Sequence, residues 1–426
     1  MKVTFIFPKW RGGLWNVRLF RMPPLGLLSI ASATPKEWDI EFIDENVDEI
    51  KYSDTDLVAI SAFTALANRA YEIADKYRAM GIKVIIGGVH ASTLPQEAIQ
   101  HADCVVIGEA DLVWGNILSD FQNNKLKKFY EVREKPDLSK ISPLRRELIK
   151  GKYFPLNQIQ TSRGCPYGCD FCSVSKFNGI KIRNRPVQNV VNEILTLKKG
   201  IGKPLFFIDD NIVANPSYAE ALFKAIKRLN INWASQASIG IARNEKLLSL
   251  AAESGCKALF IGFETLSQAC LQEVHKAYNV QEYKKLIRRI HDYSITLEGA
   301  FMFGFDSDKK DVFKKTTTFC NEVNMDIVQL TALTPLPGTK IFERLKEANR
   351  IITYDWDYYD AAHVVFTPKK MSAQELRDGI QSCYDDFYSY RSIAKRMFAL
   401  TKQKVDLQYL PLVVEANLNF RKLIIG

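Results

Sequence analysis

Three cysteines, Cys165, Cys169 and Cys172, fall within eight residues of the stretch TSRGCPYGCDFC (Thr161 to Cys172). Spacings of four and three can turn three soft thiolates toward one metal centre, and sulfur donors favour zinc or iron–sulfur clusters. A tetrahedral zinc site wants a fourth ligand, yet no other Cys or His lies between Lys152 and Ser254, so only a distant residue could close one. The motif reads as a site one protein ligand short. The remaining cysteines, Cys104, Cys256, Cys270, Cys320 and Cys383, are scattered singly in mostly apolar surroundings. That usage suits reduced, buried thiols and a reducing, cytoplasmic compartment.

The elements around the motif are legible as strands. QIQTSR, PLFFID, NWASQAS, ALFIGFE, TLEGAFMFG and DIVQLTAL recur with helical patterns between them. Six β–α units in succession predict a partial (β/α)6 barrel of parallel strands over 157–345, with chemistry where the strands end. Upstream, VTFIF, DIEFID, DLVAIS, KVIIGG and DCVVIG alternate with helical patterns over 1–125. These predict an α/β domain of the doubly wound, flavodoxin-like kind, with five strands and a ligand crevice at their carboxyl ends. Charged sequence with Pro136, Pro143 and Pro155 marks 126–156 as a linker, and 346–426 reads as a mostly helical C-terminal region. Its aromatic residues Tyr354, Trp356, Tyr358 and Tyr359 are read as core, with a pocket for a flat substrate as the alternative.

CxxxCxxC with an aromatic, Phe171, before its last cysteine, at the end of the first barrel strand, resembles the radical S-adenosylmethionine (SAM) superfamily. The resemblance implies that Cys165, Cys169 and Cys172 hold three irons of a [4Fe–4S] cluster, the fourth iron staying open for SAM. Further segments resemble the family's SAM-binding strand ends. They are FFIDDN with Asp209, Asp210 and Asn211; SQAS with Ser235 and Ser238; IGFET with Glu264 as a ribose acceptor; and FMFGFDSD with Phe303 and Gly304 beside the adenine. LTPLPGT resembles the sixth strand's end.

The domain before the barrel resembles the cobalamin-binding branch, through PPLGLLSIAS, IGGVHAS and VVIGEAD. By that resemblance Ser61, Thr64, Gly87, Gly88, His90, Gly108 and Glu109 are the cobalamin-binding candidates, with His90 alternatively a turn histidine whose hydrogen bonds are satisfied. The DxHxxG motif of cobalamin proteins that ligate cobalt through histidine is absent, so no histidine ligand to cobalt is expected.

The implied activity is C-methylation of an unactivated carbon through a 5′-deoxyadenosyl radical and methylcobalamin. Cyclisation or oxidation is the alternative within the branch. A methylthiotransferase would bring three N-terminal cysteines, and only Cys104 precedes Cys165. A non-catalytic iron–sulfur electron carrier has no use for an open iron. The implied partners are a flavodoxin or ferredoxin-like electron donor and a small-molecule, lipid or peptide substrate.

With 47% hydrophobic and 25% charged residues the composition is that of a globular protein. The net charge is +10, and the span from Arg391 to Gly426, with seven Lys/Arg and two Asp/Glu, holds +5 of it. No aromatic-plus-basic stripe accompanies that charge, which argues against nucleic acid. The basic tail reads as a helix packed on the barrel, with contact to an anionic membrane surface as the alternative. MKVTFIFPKW is too short for a signal-peptide core, and no apolar run approaches the length of a membrane span.

Overall fold

Runs rich in Val and Ile form the centre of a first parallel sheet. Its strands are β1 (Lys2–Phe7), β2 (Asp39–Asp44), β3 (Leu57–Ser61), β4 (Lys83–Gly87), β5 (Cys104–Ile107) and β6 (Phe129–Glu131). β3, β4 and β5 are covered on both faces, and the less buried β2 and β6 form the edges. The computed structural model describes residues 1–12, 21–150, 153, 157–201, 204–276, 278–402 and 410–424; parts of the expected linker and of the basic tail lie outside them. The strand order is β2-β1-β3-β4-β5-β6, a doubly wound order whose switch point lies between β1 and β3. β6 lies within the stretch read as linker: the first sheet has six strands, not the five expected from the sequence, and extends past residue 125.

The second sheet holds β7 (Asn157–Ile159), β10 (Leu205–Phe207), β11 (Trp233–Ala237), β12 (Cys256–Glu264), β13 (Thr296–Phe303) and β14 (Ile327–Ala332), all parallel and neighbours in chain order. A two-stranded antiparallel ribbon, β8 (Ser162–Arg163) with β9 (Arg183–Asn184), branches from it just after β7. The chain between the ribbon's strands carries the three cysteines. Helices link the successive strands, as the crossover rule for parallel strands requires.

Along β11, β13 and β14 burial alternates with period two. Buried residues such as Phe301, Phe303, Val328 and Leu330 join the hydrophobic cluster formed with the surrounding helices. The half-buried set, including Gln236, Glu298, Met302 and Gln329, turns the other way, into the open interior.

The sheet does not close, so β14 is an edge. The helix Ala373–Phe387 covers it, and two tyrosine hydroxyls satisfy its backbone: Tyr384 donates to the Leu330 carbonyl (2.8 Å) and accepts from its N–H (2.9 Å), while Tyr388 does the same at Val328 (2.7 and 3.1 Å). Four residues along a helix and two along a strand both advance about 6 Å, so the pairs stay in step. Of the aromatic segment, Trp356 and Tyr359 are buried in the first domain's core, whereas Tyr354 and Tyr358 are about half exposed. All eight cysteines are free, and the five outside the motif are buried.

Candidate active site

The cysteine loop hangs from the ribbon. Gly164 starts it at φ +99°, where a Cβ would lie 2.7 Å from the Lys181 carbonyl oxygen, and the Cys165 N–H donates to the Gly179 carbonyl (3.2 Å). The Cys172 N–H closes a turn onto the Cys169 carbonyl (3.0 Å). Asp170, between them, pins the loop from outside: its carboxylate meets Lys340 Nζ (3.0 Å) and His275 Nδ1 (3.1 Å). The three thiols are half-buried, and burial holds each above its ordinary pKa, Cys169 at about 11 and Cys172 at about 12. Free, they are thiols; a soft metal must displace their protons. Three soft thiols carried by one loop are the donor set that a [4Fe–4S] cluster takes, whereas no three Cys, His, Asp or Glu side chains among the described residues converge as they would on a single metal ion.

The strand ends around the loop divide into two groups. Asp209 is fully buried, and its carboxylate accepts from Thr161 N and Oγ1 and from Ser162 Oγ. It ties the end of β10 to the start of the ribbon. Ser235 points away from the interior and donates to the Phe207 carbonyl (2.8 Å). Phe303 packs on Phe313 under the helices, and a Cβ on Gly304 would strike Leu376 and Phe366. Phe171 packs against the barrel core.

Asn211 and Glu264 present more. Asn211 Oδ1 accepts from the Ser238 N–H (2.9 Å), while its Nδ2 is buried with no partner, a donor still to be used. Glu264 pairs with Lys276, and Lys276 also donates to the Gly262 carbonyl (2.9 Å). Lys276 carries no motif signal in the sequence. Gln236 and Met302, neighbours of Ser235 and Phe303, are the residues that face inward; counting strand period would have found them.

A cavity of about 350 Å³ opens at the carboxyl ends of the first sheet. Ser61, Gly87, Gly88, Gly108 and Glu109 line it, with apolar Leu27, Ile30, Phe63 and Trp114. Its opposite wall comes from the barrel: Gln160, Arg163 and Asp210, then Ser173, Val174 and Phe177 on the helix that starts directly after Cys172. Burial, with the neighbouring Asp209, pushes the Asp210 carboxyl up to about 6. A glycine-edged crevice with apolar walls suits the approach of one face of a cobalamin, whose full bulk exceeds this volume. Thr64 and His90 do not line it. Thr64 is buried in a 3-10 turn, and His90 Nε2 is engaged by Tyr71 (3.0 Å) and Glu97 (3.2 Å), while its buried Nδ1 has no hydrogen-bond partner among the described residues.

The Radical SAM superfamily matches residues 159–320, and the B12 binding domain matches 13–117. Over 387 residues the chain is 33% identical to bacteriochlorophyllide d C-12(1)-methyltransferase of Chlorobaculum tepidum, covering 88% of this chain and 84% of that one. The chain belongs to the radical SAM superfamily, in its B12-binding branch. It is 30% identical to the same organism's bacteriochlorophyllide d C-8(2)-methyltransferase, over 91% of this chain and 90% of that one. Among solved structures, the cobalamin-dependent radical enzyme OxsB with aqua-cobalamin and SAM bound shares the fold at a TM-score of 0.72, with 15% identity, over 98% of this chain and 71% of that one. As a radical SAM enzyme with a B12-binding domain, this protein uses a [4Fe–4S] cluster, SAM and cobalamin, and its reaction class is methyl transfer.

Proposed function

We propose that this radical SAM enzyme methylates an unactivated carbon of a tetrapyrrole. The reading is carried by one observation: a single cavity is bounded on one side by the first sheet's strand ends and on the other by the helix leaving Cys172. Cobalamin and cluster chemistry therefore meet over one small volume. When bound, the cofactors supply homolytic cleavage of SAM for hydrogen abstraction and a methyl group for the resulting carbon radical.

The chain's own residues hold and orient. Cys165, Cys169 and Cys172 ligate the cluster and leave one iron to SAM. Asn211 Nδ2 and Glu264 face SAM's polar groups, and Ser61, Gly87, Gly88 and Gly108 frame the cobalamin crevice. Asp210, Gln160 and Asn178, polar groups on the shared cavity, orient the substrate between them. The apolar walls exclude water from a radical that it would quench.

The substrate class rests on the relatives. Two bacteriochlorophyllide methyltransferases match nearly the whole chain. So does the anaerobic magnesium-protoporphyrin IX monomethyl ester cyclase of Rubrivivax gelatinosus, 26% identical over 96% of this chain. That last match favours ring closure as the second reading. The electron source is a flavodoxin or ferredoxin-like protein in a reducing cytoplasm, as eight free cysteines suggest. No described helix is long and apolar enough to cross a membrane, and the described part of the basic tail packs on the barrel, where Asn417 Nδ2 donates to the Asp326 carbonyl (3.0 Å) and Arg421 to the Tyr388 carbonyl (3.1 Å).

Anaerobic reconstitution with iron, sulfide and hydroxocobalamin tests this, using bacteriochlorophyllide d, SAM and dithionite. The expected products are 5′-deoxyadenosine and a pigment one methyl heavier. Absence of 5′-deoxyadenosine sinks the radical reading, and turnover of magnesium-protoporphyrin IX monomethyl ester in place of bacteriochlorophyllide d selects ring closure. Cys169→Ala abolishes both the cluster absorbance and SAM cleavage.

A further inference from the structure

A buried ion network joins the two sheets beside the shared cavity. Glu109 and Asp111 follow the carboxyl end of β5, while Arg163 and Arg183 face each other across the ribbon that carries the cysteine loop. Arg183 grips Glu109 with both terminal nitrogens (2.6 and 3.0 Å), and Arg163 grips Asp111 in the same way (2.7 and 3.0 Å). A cross-link from Arg163 to Glu109 (2.8 Å) joins the pairs, and Ser29 donates to Asp111 (2.6 Å). None of the four charged side chains is more than 12% exposed. Glu109, a cobalamin candidate by sequence, thus has both carboxylate oxygens committed to arginine.

Burying four charges costs desolvation that apolar side chains of the same volume would avoid, so stability alone does not account for the network. Forked, bidentate pairs contribute geometry instead: each fixes a distance and an angle together. Arg163 stands two residues before Cys165, and Glu109 follows Gly108, whose φ of +99° and Ser92 hydrogen bond (2.9 Å) fix the end of β5. The network therefore ties the crevice's rim to the base of the cysteine loop.

We propose that Glu109, Asp111, Arg163 and Arg183 form a strut that sets the spacing between the cobalamin and the cluster. They are positioning residues, acting through the two elements they join. The inference rests on the function proposed above and deepens it.

The test uses the full-length holoenzyme, reconstituted with cluster and hydroxocobalamin and reduced until the cluster and cob(II)alamin are both paramagnetic. A reduced cluster nearby speeds relaxation of the cob(II)alamin electron-paramagnetic-resonance signal, steeply with separation. Wild type shows one well-defined enhancement. The double variant Glu109→Gln, Asp111→Asn keeps its iron and cobalt content, but its enhancement is lost or spreads into a broad distribution. Unchanged relaxation at full cofactor content overturns the strut alone. Loss of cobalamin from the variant also overturns it, by making the carboxylates cofactor ligands. Should circular dichroism show the double variant unfolded, Arg183→Lys, which keeps the charge and loses the fork, is read in the same way. A wild type that takes up the cluster but no cobalamin overturns the functional reading, and the strut with it.

Discussion

Lys276 closes over Glu264 at the end of β12, and each residue is only 9% exposed. Glu264 holds a left-handed φ of +66°, a conformation uncommon outside glycine, at a register shift between β12 and β13. Burial works against the Lys276 charge, but the Glu264 carboxylate outweighs it and lifts the ammonium to about 12. Lys276→Met leaves a buried carboxylate without its partner and lowers stability by about 3–5 kcal/mol. Adding Glu264→Gln recovers much of that loss, because the uncompensated charge is gone. Urea unfolding of the single and double variants checks both; equal midpoints for the two would refute the coupling.

The edge of the barrel gives a second expectation. Tyr384→Phe deletes a hydroxyl that serves both backbone groups of Leu330, leaving a buried N–H and C=O unpaired. The cost is about 1–3 kcal/mol, and hydrogen exchange at the Leu330 amide should speed up before that at the interior strand β12. Protection of Leu330 that matches wild type would show that the helix packing alone guards the edge.

The strands of both sheets were legible wherever burial on two faces wrote a continuous run of β-branched residues. β6 was not: three residues, FYE, on an edge and inside charged sequence carry no such run. The cysteine loop announced itself because its chemistry is local, eight residues long. Ser235 and Phe303 carry the strand-end motif positions, whereas period-two alternation places their neighbours Gln236 and Met302 inward. The arginine strut was invisible for a different reason: Arg163 and Arg183 stand 54 and 74 residues from Glu109, so only the packed domains bring them together.

Gly88 and Gly87 make a paired test at the cobalamin crevice. Gly88 has φ +94° and ψ −174°, a region essentially reserved for glycine, and a Cβ there would lie 2.8 Å from both the Ala62 carbonyl oxygen and Ser61 Oγ. Its freedom is used by the fold, where β3 and β4 end side by side. Gly87 would meet only Val106, at 3.7 Å or beyond. Gly88→Ala costs about 1–3 kcal/mol and lowers cobalamin content, whereas Gly87→Ala leaves unfolding nearly unmoved. Equal effects would refute the distinction.

Glu298 predicts a pH dependence with a definite sign. It faces the barrel interior between Phe260 and Ile327 in register, with no hydrogen-bonding or ionic partner among the described residues. Burial alone pushes its carboxyl up to about 7. The folded state then holds this proton more tightly than the unfolded chain does. Its contribution to stability is full below the ordinary carboxyl range, declines as the unfolded chain ionises, and is lost once pH passes about 7. Glu298→Gln removes that slope. Relative to wild type, the variant should therefore gain about 2–3 kcal/mol between pH 5 and pH 8, with part of the full shift screened by access to the interior. Urea titrations at the two pH values read the difference directly, and a gap that stays constant would mean that the carboxyl ionises in the interior as it does in water.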